Sequence, residues 1–125
     1  MVGERGKLVS AELTDEDAEK HTLTGLIEGG KRRITVGRDE DNDVVVGGIT
    51  VSRCHAVLRY DSEKDAVYVS DLSSSNGIVV RNSEKRYKIH FPQIRDGEVV
   101  SGRVLVEGDR ISIGANELRY SEVRE

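Results

Sequence analysis

Short runs of apolar residues, most of them β-branched, recur along the chain and are separated by polar turn residues. Valine and isoleucine dominate these runs, and branched side chains favour a pleated strand over a helix. The short, regular spacing of the runs predicts an all-β sandwich. The predicted strands are Lys7–Leu13, Thr22–Ile27, Arg33–Val36, Val44–Val46, Ala56–Tyr60, Ala66–Ser70, Ile78–Val80, Tyr87–Phe91, Val104–Val106, Arg110–Ile113 and Leu118–Val123.

One segment, Thr14–Lys20, has the composition of a helix start, with acidic residues after a threonine. It has no apolar face and is too short to be stable as an isolated helix. The segment is therefore predicted to be an acidic loop or a single turn.

Composition limits the kind of protein that this chain can be. Its 125 residues make one domain, and with only 4% aromatic residues the core must be built from Val, Ile and Leu. A net charge of −4 gives no reason to expect nucleic acid or an anionic membrane as a partner. A single cysteine, Cys54, and no long apolar stretch favour a reducing compartment, so we expect a cytoplasmic protein, or a nuclear one in a eukaryote.

Three polar clusters stand where apolar runs stop: Gly37-Arg38, Ser52-Arg53-Cys54-His55 and Ser75-Asn76-Gly77. Arginine offers a permanently charged planar fork that matches phosphate oxygens, and hydroxyls and amides add oriented donors. Each cluster alone also fits a plain structural role, since arginine solvates strand ends and Asn-Gly is a common turn. Together they suggest a site for an anionic group.

Other chemistry fits these residues poorly. The segment from Asp39 resembles the start of a calcium loop, but an EF-hand needs Gly where Val44 stands and Glu where Thr50 stands. The three histidines and one cysteine are scattered, which argues against zinc, so we expect no metal and no cofactor. Cys54 and His55 are neighbours in sequence and would point to opposite faces of a strand, so they could not readily share a proton. We expect no enzymatic activity.

The order and spacing of the clusters resemble the forkhead-associated (FHA) domain, as does the closing stretch from Leu105 to Gly114. The resemblance implies an all-β, FHA-like sandwich of two twisted, mainly antiparallel sheets with about 11 strands and binding loops at one end. It covers residues 7–121, with tails at 1–6 and 122–125 and a long insertion around 82–104.

FHA domains bind phosphothreonine, and the resemblance assigns a role to each cluster. Arg38 would be the main phosphate contact, and Arg53 would add a second cation or a backbone contact. The hydroxyl of Ser52 would donate to the phosphate, and that of Ser75 to the phosphate or to the loop. Asn76 would bond the backbone of the bound peptide. Three residues would support the site structurally, namely Gly37, His55 and Gly77.

The implied function is that of a non-catalytic, monomeric module that binds partner proteins in signalling. These partners would contain a phosphothreonine produced by an upstream Ser/Thr kinase. Two alternatives remain at this stage. The fold could serve as a scaffold whose partners bind independently of phosphate, for example through the 82–104 insertion. The binding site could also capture a phosphorylated Thr14 of the same chain, because acidic residues follow that threonine.

Overall fold

Two β-sheets pack face to face in the computed structural model, which describes residues 6–72, 74, 76–83, 85–89, 94–95, 98–99 and 102–125. In chain order the elements are β1 (Leu8–Thr14), β2 (Lys20–Thr22), α1 (Thr24–Ile27), β3 (Ile34–Gly37), β4 (Val44–Val45), β5 (Ala56–Asp61), β6 (Ala66–Asp71), β7 (Ile78–Asn82), β8 (Lys85–Ile89), β9 (Ile94–Arg95), β10 (Glu98–Val99), β11 (Arg103–Val104), β12 (Arg110–Ile113) and β13 (Asn116–Arg124).

The larger sheet has the strand order β2-β1-β13-β12-β7-β8, and the smaller sheet has the order β11-β6-β5-β3-β4. Within the described residues β3 and β4 form the one parallel pair, and β9 and β10 pair only with each other. The predicted sandwich of 11 strands in two mainly antiparallel sheets is therefore confirmed. The one described helix, α1, has four residues, so no helix in this part of the chain is long enough to cross a membrane.

Aliphatic side chains from both sheets fill the interior, as the composition predicted. Along β6, for example, Val67 and Val69 enter the core while Tyr68 between them stays half-buried, which is the two-residue period of a strand. Tyr120 is the one aromatic residue among the buried hydrophobic residues that the structure describes. Burial raises the pKa of Tyr120, so the phenol stays neutral and donates a hydrogen bond of 2.9 Å to Glu122.

The predicted strand Thr22–Ile27 is wrong. β2 ends at Thr22, and the apolar residues that follow form helix α1. Leu23 and Leu26 are both buried, at a spacing of three residues that suits one face of a helical turn. The amide of Glu28 donates to the carbonyl of Thr24, and Gly29 ends the turn with a positive φ of 85°.

The acidic segment after β1 forms the tight turn of the β1–β2 hairpin. The carboxylate of Asp15 accepts hydrogen bonds from the amides of Asp17 and Glu19 and from Nε2 of His21. The contact with His21 is the largest cause of a lowered pKa at Asp15. Thr14 itself lies within β1, paired with strands on both sides, so capture of a phosphorylated Thr14 would require β1 to leave the sheet.

The segment predicted to be an insertion, 82–104, begins with a hairpin of β7 and β8. β8 starts two residues before the predicted strand Tyr87–Phe91, and the last two residues of that prediction, His90 and Phe91, lie outside the described part of the chain. The guanidinium of Arg103 stacks 3.2 Å from the ring centre of Tyr87 and so connects this hairpin to the smaller sheet. At the other end of the sandwich, β13 continues to Arg124, opposite Leu8, so the first three residues of the expected tail 122–125 lie in a strand.

One carboxylate joins the two sheets at the end where β1 begins and β13 ends. Asp65, in the β5–β6 turn, accepts hydrogen bonds from the amide of Leu8 at 2.9 Å and from the hydroxyl of Tyr60 at 2.6 Å. Arg124 pairs with the same carboxylate at 3.3 Å. The hydrogen bond from Tyr60, followed by that from Leu8, lowers the pKa of Asp65. The ionised form therefore stabilises the folded state.

The variant Asp65→Asn tests this connection, since asparagine keeps the size of the side chain and tolerates the positive φ of 50° at this position. We expect a loss of about 2 kcal/mol in the free energy of unfolding at neutral pH, measured by urea denaturation. Because the folded pKa lies below the unfolded one, the carboxylate's contribution is complete above about pH 4 and disappears as the pH falls through the folded pKa.

The stability difference between parent and variant should accordingly narrow in acid. Glu63→Gln, an exposed position in the same turn, is the matched control and should behave like the parent. A difference that persists unchanged at acid pH would show that the charge of Asp65 is not what stabilises the contact.

Candidate functional site

Three loops meet at the end of the sandwich where β5 begins. The segment after β3 is joined to the segment before β5 by a hydrogen bond of 3.1 Å from the amide of Arg38 to the carbonyl of Ser52. The segment before β5 is joined to the β6–β7 loop by a hydrogen bond of 2.8 Å between Nε2 of His55 and the carbonyl of Gly77. The structure thus brings together residues from all three polar clusters.

Gly37 is required by the close approach of these loops. A Cβ atom at this position would lie 2.2 Å from the carbonyl oxygen of Arg53, closer than two such atoms can approach. The same Cβ would lie 2.8 Å from Nδ2 of Asn42. The glycine therefore allows the backbone before β5 to lie directly against the end of β3.

Asn42 stabilises this junction, and no sequence pattern distinguishes it from the other residues of its polar turn. Its side chain is buried, and Nδ2 donates to the carbonyls of Asp39 at 2.8 Å and Arg53 at 2.6 Å. The amide of Asp39 also donates to Arg53, at 3.2 Å. The backbone that carries Arg38 and Arg53 is therefore held from both sides.

His55 is fully buried and uses both ring nitrogens in hydrogen bonds between loops. Nδ1 accepts from the amide of Ser52 at 3.0 Å, which assigns the ring hydrogen to Nε2 and makes that nitrogen the donor to Gly77. Neither nitrogen of this neutral tautomer is left to accept a proton from a substrate. Cys54, in contrast, is exposed, so Cys54 and His55 do not form a nucleophile–base pair.

A buried hydrogen-bonded cluster shapes the β6–β7 loop. Ser74 donates its hydroxyl and its amide to the carboxylate of Asp71, and the amide of Gly77 donates to the Ser74 hydroxyl at 2.8 Å. Gly77 adopts a positive φ of 69°, the conformation that the Asn-Gly turn predicted. Asp71 and Ser74 were not selected from the sequence because loops of Ser and Asp are common on surfaces.

Asn76 is exposed at the tip of this loop and reaches across to the loop before β5. Its Nδ2 donates to the carbonyl of Thr50 at 3.1 Å. The hydroxyl of Thr50 accepts from the amide of Ala115 at 2.9 Å, and Asn116 donates to the carbonyl of Gly47 at 2.7 Å. The β12–β13 turn therefore supports the loop that Asn76 contacts, a connection that no local sequence pattern indicated.

The candidate phosphate-binding groups lie at the surface of this framework. The side chains of Arg38 and Arg53 are exposed, and neither guanidinium has a hydrogen-bond or ion-pair partner among the residues that the structure describes. Ser52, which directly precedes Arg53 in the chain, is half-buried. Ser75, the remaining predicted hydroxyl, lies outside the described residues.

Two glycine-to-alanine variants, Gly37→Ala and Gly47→Ala, test the close approach of the backbone at Gly37 to the Arg53 carbonyl. We expect Gly37→Ala to lower the free energy of unfolding by about 1–3 kcal/mol, because the added methyl group would displace the Arg53 carbonyl. Gly47→Ala, where no atom lies within 4 Å of the new Cβ, should remain within about 0.5 kcal/mol of the parent. Urea denaturation of both variants measures the difference, and equal stabilities would mean that the loops are free to separate.

Comparison with solved structures supports this architecture. The FHA domain of an Arabidopsis thaliana hypothetical protein superimposes with a TM-score of 0.67 at 22% identity, covering 100% of this chain and 96% of that one. The MEK1 FHA domain in complex with a phosphothreonine peptide of HOP1 gives 0.58 at 18% identity, covering 90% of this chain and 95% of that one.

Mycobacterium tuberculosis EmbR, in complex with a low-affinity phosphopeptide, gives a TM-score of 0.64 at 25% identity. The match covers 94% of this chain but only 25% of the EmbR chain. A search of curated proteins found no match. The family model described as FHA domain matches residues 34–114, which include all three polar clusters. The chain therefore belongs to the FHA-domain family.

Proposed function

We propose that this chain is a non-catalytic module that recognises phosphothreonine in partner proteins and so takes part in signalling. The contacts would come from Arg38, Ser52, Arg53, Ser75 and Asn76. The observation that carries this proposal is the junction of the three loops through Gly37, His55 and Gly77, which leaves two arginines exposed on a fixed backbone.

The charge of a phosphothreonine suits such a site. The phosphate carries nearly two negative charges and three strong acceptor oxygens at neutral pH. Arg38 and Arg53 supply cations, and arginine forms charge-assisted pairs with phosphate through its planar fork. The chain as a whole carries a net charge of −4, so attraction would depend on these local cations and not on the overall field.

Asn76 would distinguish a peptide from a free anion. Its carboxamide lies at the exposed tip of the β6–β7 loop, where Nδ2 already bonds the Thr50 carbonyl. The carboxamide also has an acceptor oxygen, which can receive a hydrogen bond from a peptide amide. A peptide lying across the loop tips would then be held at its backbone as well as at its phosphate.

Similar proteins of known structure support phosphopeptide binding as the function. The EmbR and MEK1 structures each contain a bound phosphopeptide. Recognition of phosphorylated motifs by clustered arginines is a general binding mode, and FHA domains are among its examples. A partner of this chain would be a protein phosphorylated on threonine by an upstream Ser/Thr kinase.

The substitution Arg38→Ala should weaken phosphothreonine binding by about 2–5 kcal/mol, since it removes one member of a charge pair formed in the complex. Arg119→Ala, an exposed arginine on β13, is the matched control and should leave affinity unchanged. Affinity is measured by fluorescence anisotropy against a degenerate phosphothreonine peptide library, with phosphoserine and unphosphorylated libraries in parallel.

Selective capture of the phosphothreonine library, lost in Arg38→Ala and kept in Arg119→Ala, is the expected result. Equal affinity of parent and Arg38→Ala would exclude Arg38 as the phosphate contact. Folded protein that captures none of the phosphorylated libraries would favour the alternative of a phosphate-independent scaffold.

A further inference from the structure

Four arginines lie side by side on the outward face of the larger sheet. The pairing register places Arg119 of β13 opposite Arg110 of β12. Arg110 is in turn opposite Arg81 of β7, and Arg81 is opposite Arg86 of β8. All four side chains are exposed. We call this set the arginine row.

The alternation of side chains along the strands sets the direction of the arginine row. Ile111 directly follows Arg110 on β12, and Val80 directly precedes Arg81 on β7. These two apolar residues are opposite each other and buried in the core. Because successive side chains of a strand point to opposite faces, the arginines point away from the smaller sheet and into solvent.

One carboxylate partly balances the charge of the arginine row. Oε1 of Glu117 lies 3.5 Å from Nε of Arg110 in an exposed pair. Glu122, the other acid in the described strands β7, β8, β12 and β13, pairs with Arg124 instead. Lys88 of β8 adds a further cation to the same face, two residues from Arg86. Five cations therefore share this face with one carboxylate.

The arrangement of the arginine row is unfavourable for the isolated sheet. Like charges at directly opposed positions destabilise a pair of strands, and three successive cross-strand pairs here consist of two arginines each. An anionic partner that lies along the row would remove this cost, because each guanidinium would then face a carboxylate or phosphate oxygen.

The surroundings of the arginine row favour a short anionic segment over a long polyanion. In the direction of β1 and β2 the same register continues to Thr14, opposite Arg119, and to Lys20, opposite Thr14. The β1–β2 turn that joins Thr14 to Lys20 carries four acidic residues within 15–19. A nucleic acid that continued past the row would meet these carboxylates, and the net charge of −4 would also oppose it. A short acidic segment of a protein avoids this repulsion.

The spacing of the arginine row fits an acidic helix better than an extended acidic segment. Neighbouring strands lie about 4.8 Å apart, so the four arginines span about 14 Å. A helix that presents one carboxylate per turn places four of them over about 16 Å, since its pitch is about 5.4 Å. An extended segment needs about 20 Å to present four carboxylates on one side. The flexible arginine side chains cover the smaller of these two differences.

We propose that the arginine row binds an acidic α-helix of a partner protein, laid across the strands with one carboxylate per turn facing the row. This contact is separate from the proposed function and does not require a phosphate. Arg110 lies three residues along β12 from Ile113, which precedes the β12–β13 turn at the loop end of the sandwich. The row is therefore about 10 Å along the strand from the loop end, on an outward face.

The first experiment measures binding of labelled model peptides by fluorescence anisotropy at low ionic strength. The facial peptide is an Ala/Gln helix with glutamate at positions i, i+4, i+7 and i+11, which lie on one side. The scattered peptide has the same composition with its glutamates around the helix, and the proline peptide is the facial peptide with a central proline that breaks the helix. Circular dichroism establishes the helicity of each.

The facial peptide should bind saturably, and the scattered and proline peptides should bind at least about 5-fold more weakly, because they cannot place four carboxylates along the row. Added salt should weaken binding of the facial peptide, since all the contacts are exposed ion pairs. A single-stranded oligonucleotide of comparable charge, measured in parallel, should bind more weakly than the facial peptide.

Variants test the origin of this binding. Arg81→Gln and Arg86→Gln should each weaken the facial peptide about 3-fold, and the double variant Arg81→Gln/Arg110→Gln about 10-fold. Lys64→Gln, an exposed cation in the β5–β6 turn, is the matched control and should bind like the parent. Urea denaturation establishes that each variant is folded, and the two single variants decide the test if the double variant is not.

Two further variants separate the arginine row from the phosphate-binding loops. Arg38→Ala should bind the facial peptide like the parent, although it should lose phosphothreonine binding. Arg119→Ala should show the reverse pattern, with a loss of about 3-fold for the facial peptide and unchanged phosphothreonine affinity. Loss of the facial peptide in Arg38→Ala would show that the carboxylates occupy the loops, and would overturn this inference.

The remaining outcomes are also decisive. Absence of binding, equal affinity for the three peptides, or affinity that persists in the arginine-row variants would overturn this inference and leave the proposed function intact. Tighter binding of the oligonucleotide than of the facial peptide would overturn it in favour of nucleic acid. Failure of the phosphothreonine libraries to bind, with facial-peptide binding lost only in the arginine-row variants, would overturn the proposed function alone.

Discussion

The loop end of this domain depends on the buried residue His55, which is hydrogen-bonded to β3, to the loop before β5 and to the loop between β6 and β7. Its amide donates to Val36 and its carbonyl accepts from Leu72, while its ring accepts from Ser52 and donates to Gly77. Because the residue is inaccessible to water, each lost contact would leave a buried polar group without a partner. The relative positions of β3 and of the two loops are therefore set by one residue, through both its main chain and its side chain.

This arrangement separates the groups that hold the site from the groups that are available to a ligand. The buried set, Asn42, His55, Asp71 and Ser74, is held by hydrogen bonds to neighbouring backbone and between Asp71 and Ser74, and Oδ1 of Asn42 is left without a partner among the described residues. In the proposed function, the exposed arginines would project from a backbone that does not need to reorganise on binding, which would lower the entropic cost of capturing a peptide. Charge is concentrated where the backbone is fixed most firmly.

Much of the fold was predictable from local pattern, and the failures have physical causes. Strands such as β12 show a clear alternation of apolar and polar residues. The spacing of Leu23, Leu26 and Ile27 fits either a strand or one helical turn, and the helical turn is the one that packs Leu23 and Leu26 into the core. The clusters at Arg38, Ser52 and Asn76 could be read because their order matches a family pattern. Asn42, Ser74 and the alignment of Arg81 with Arg110 could not, because these follow from contacts between segments distant in sequence.

The pairing of β1 with β13 has a consequence for how the domain can be joined to other protein segments. Leu8 and Arg124 are adjacent, and both contact Asp65 in the β5–β6 turn, while the binding loops lie at the opposite end of β5. The chain therefore enters and leaves the sandwich at one place, about a strand length from the proposed peptide site. A neighbouring domain attached at either end would be kept away from a peptide at that site, and the module could be inserted within another chain with little effect on its own geometry.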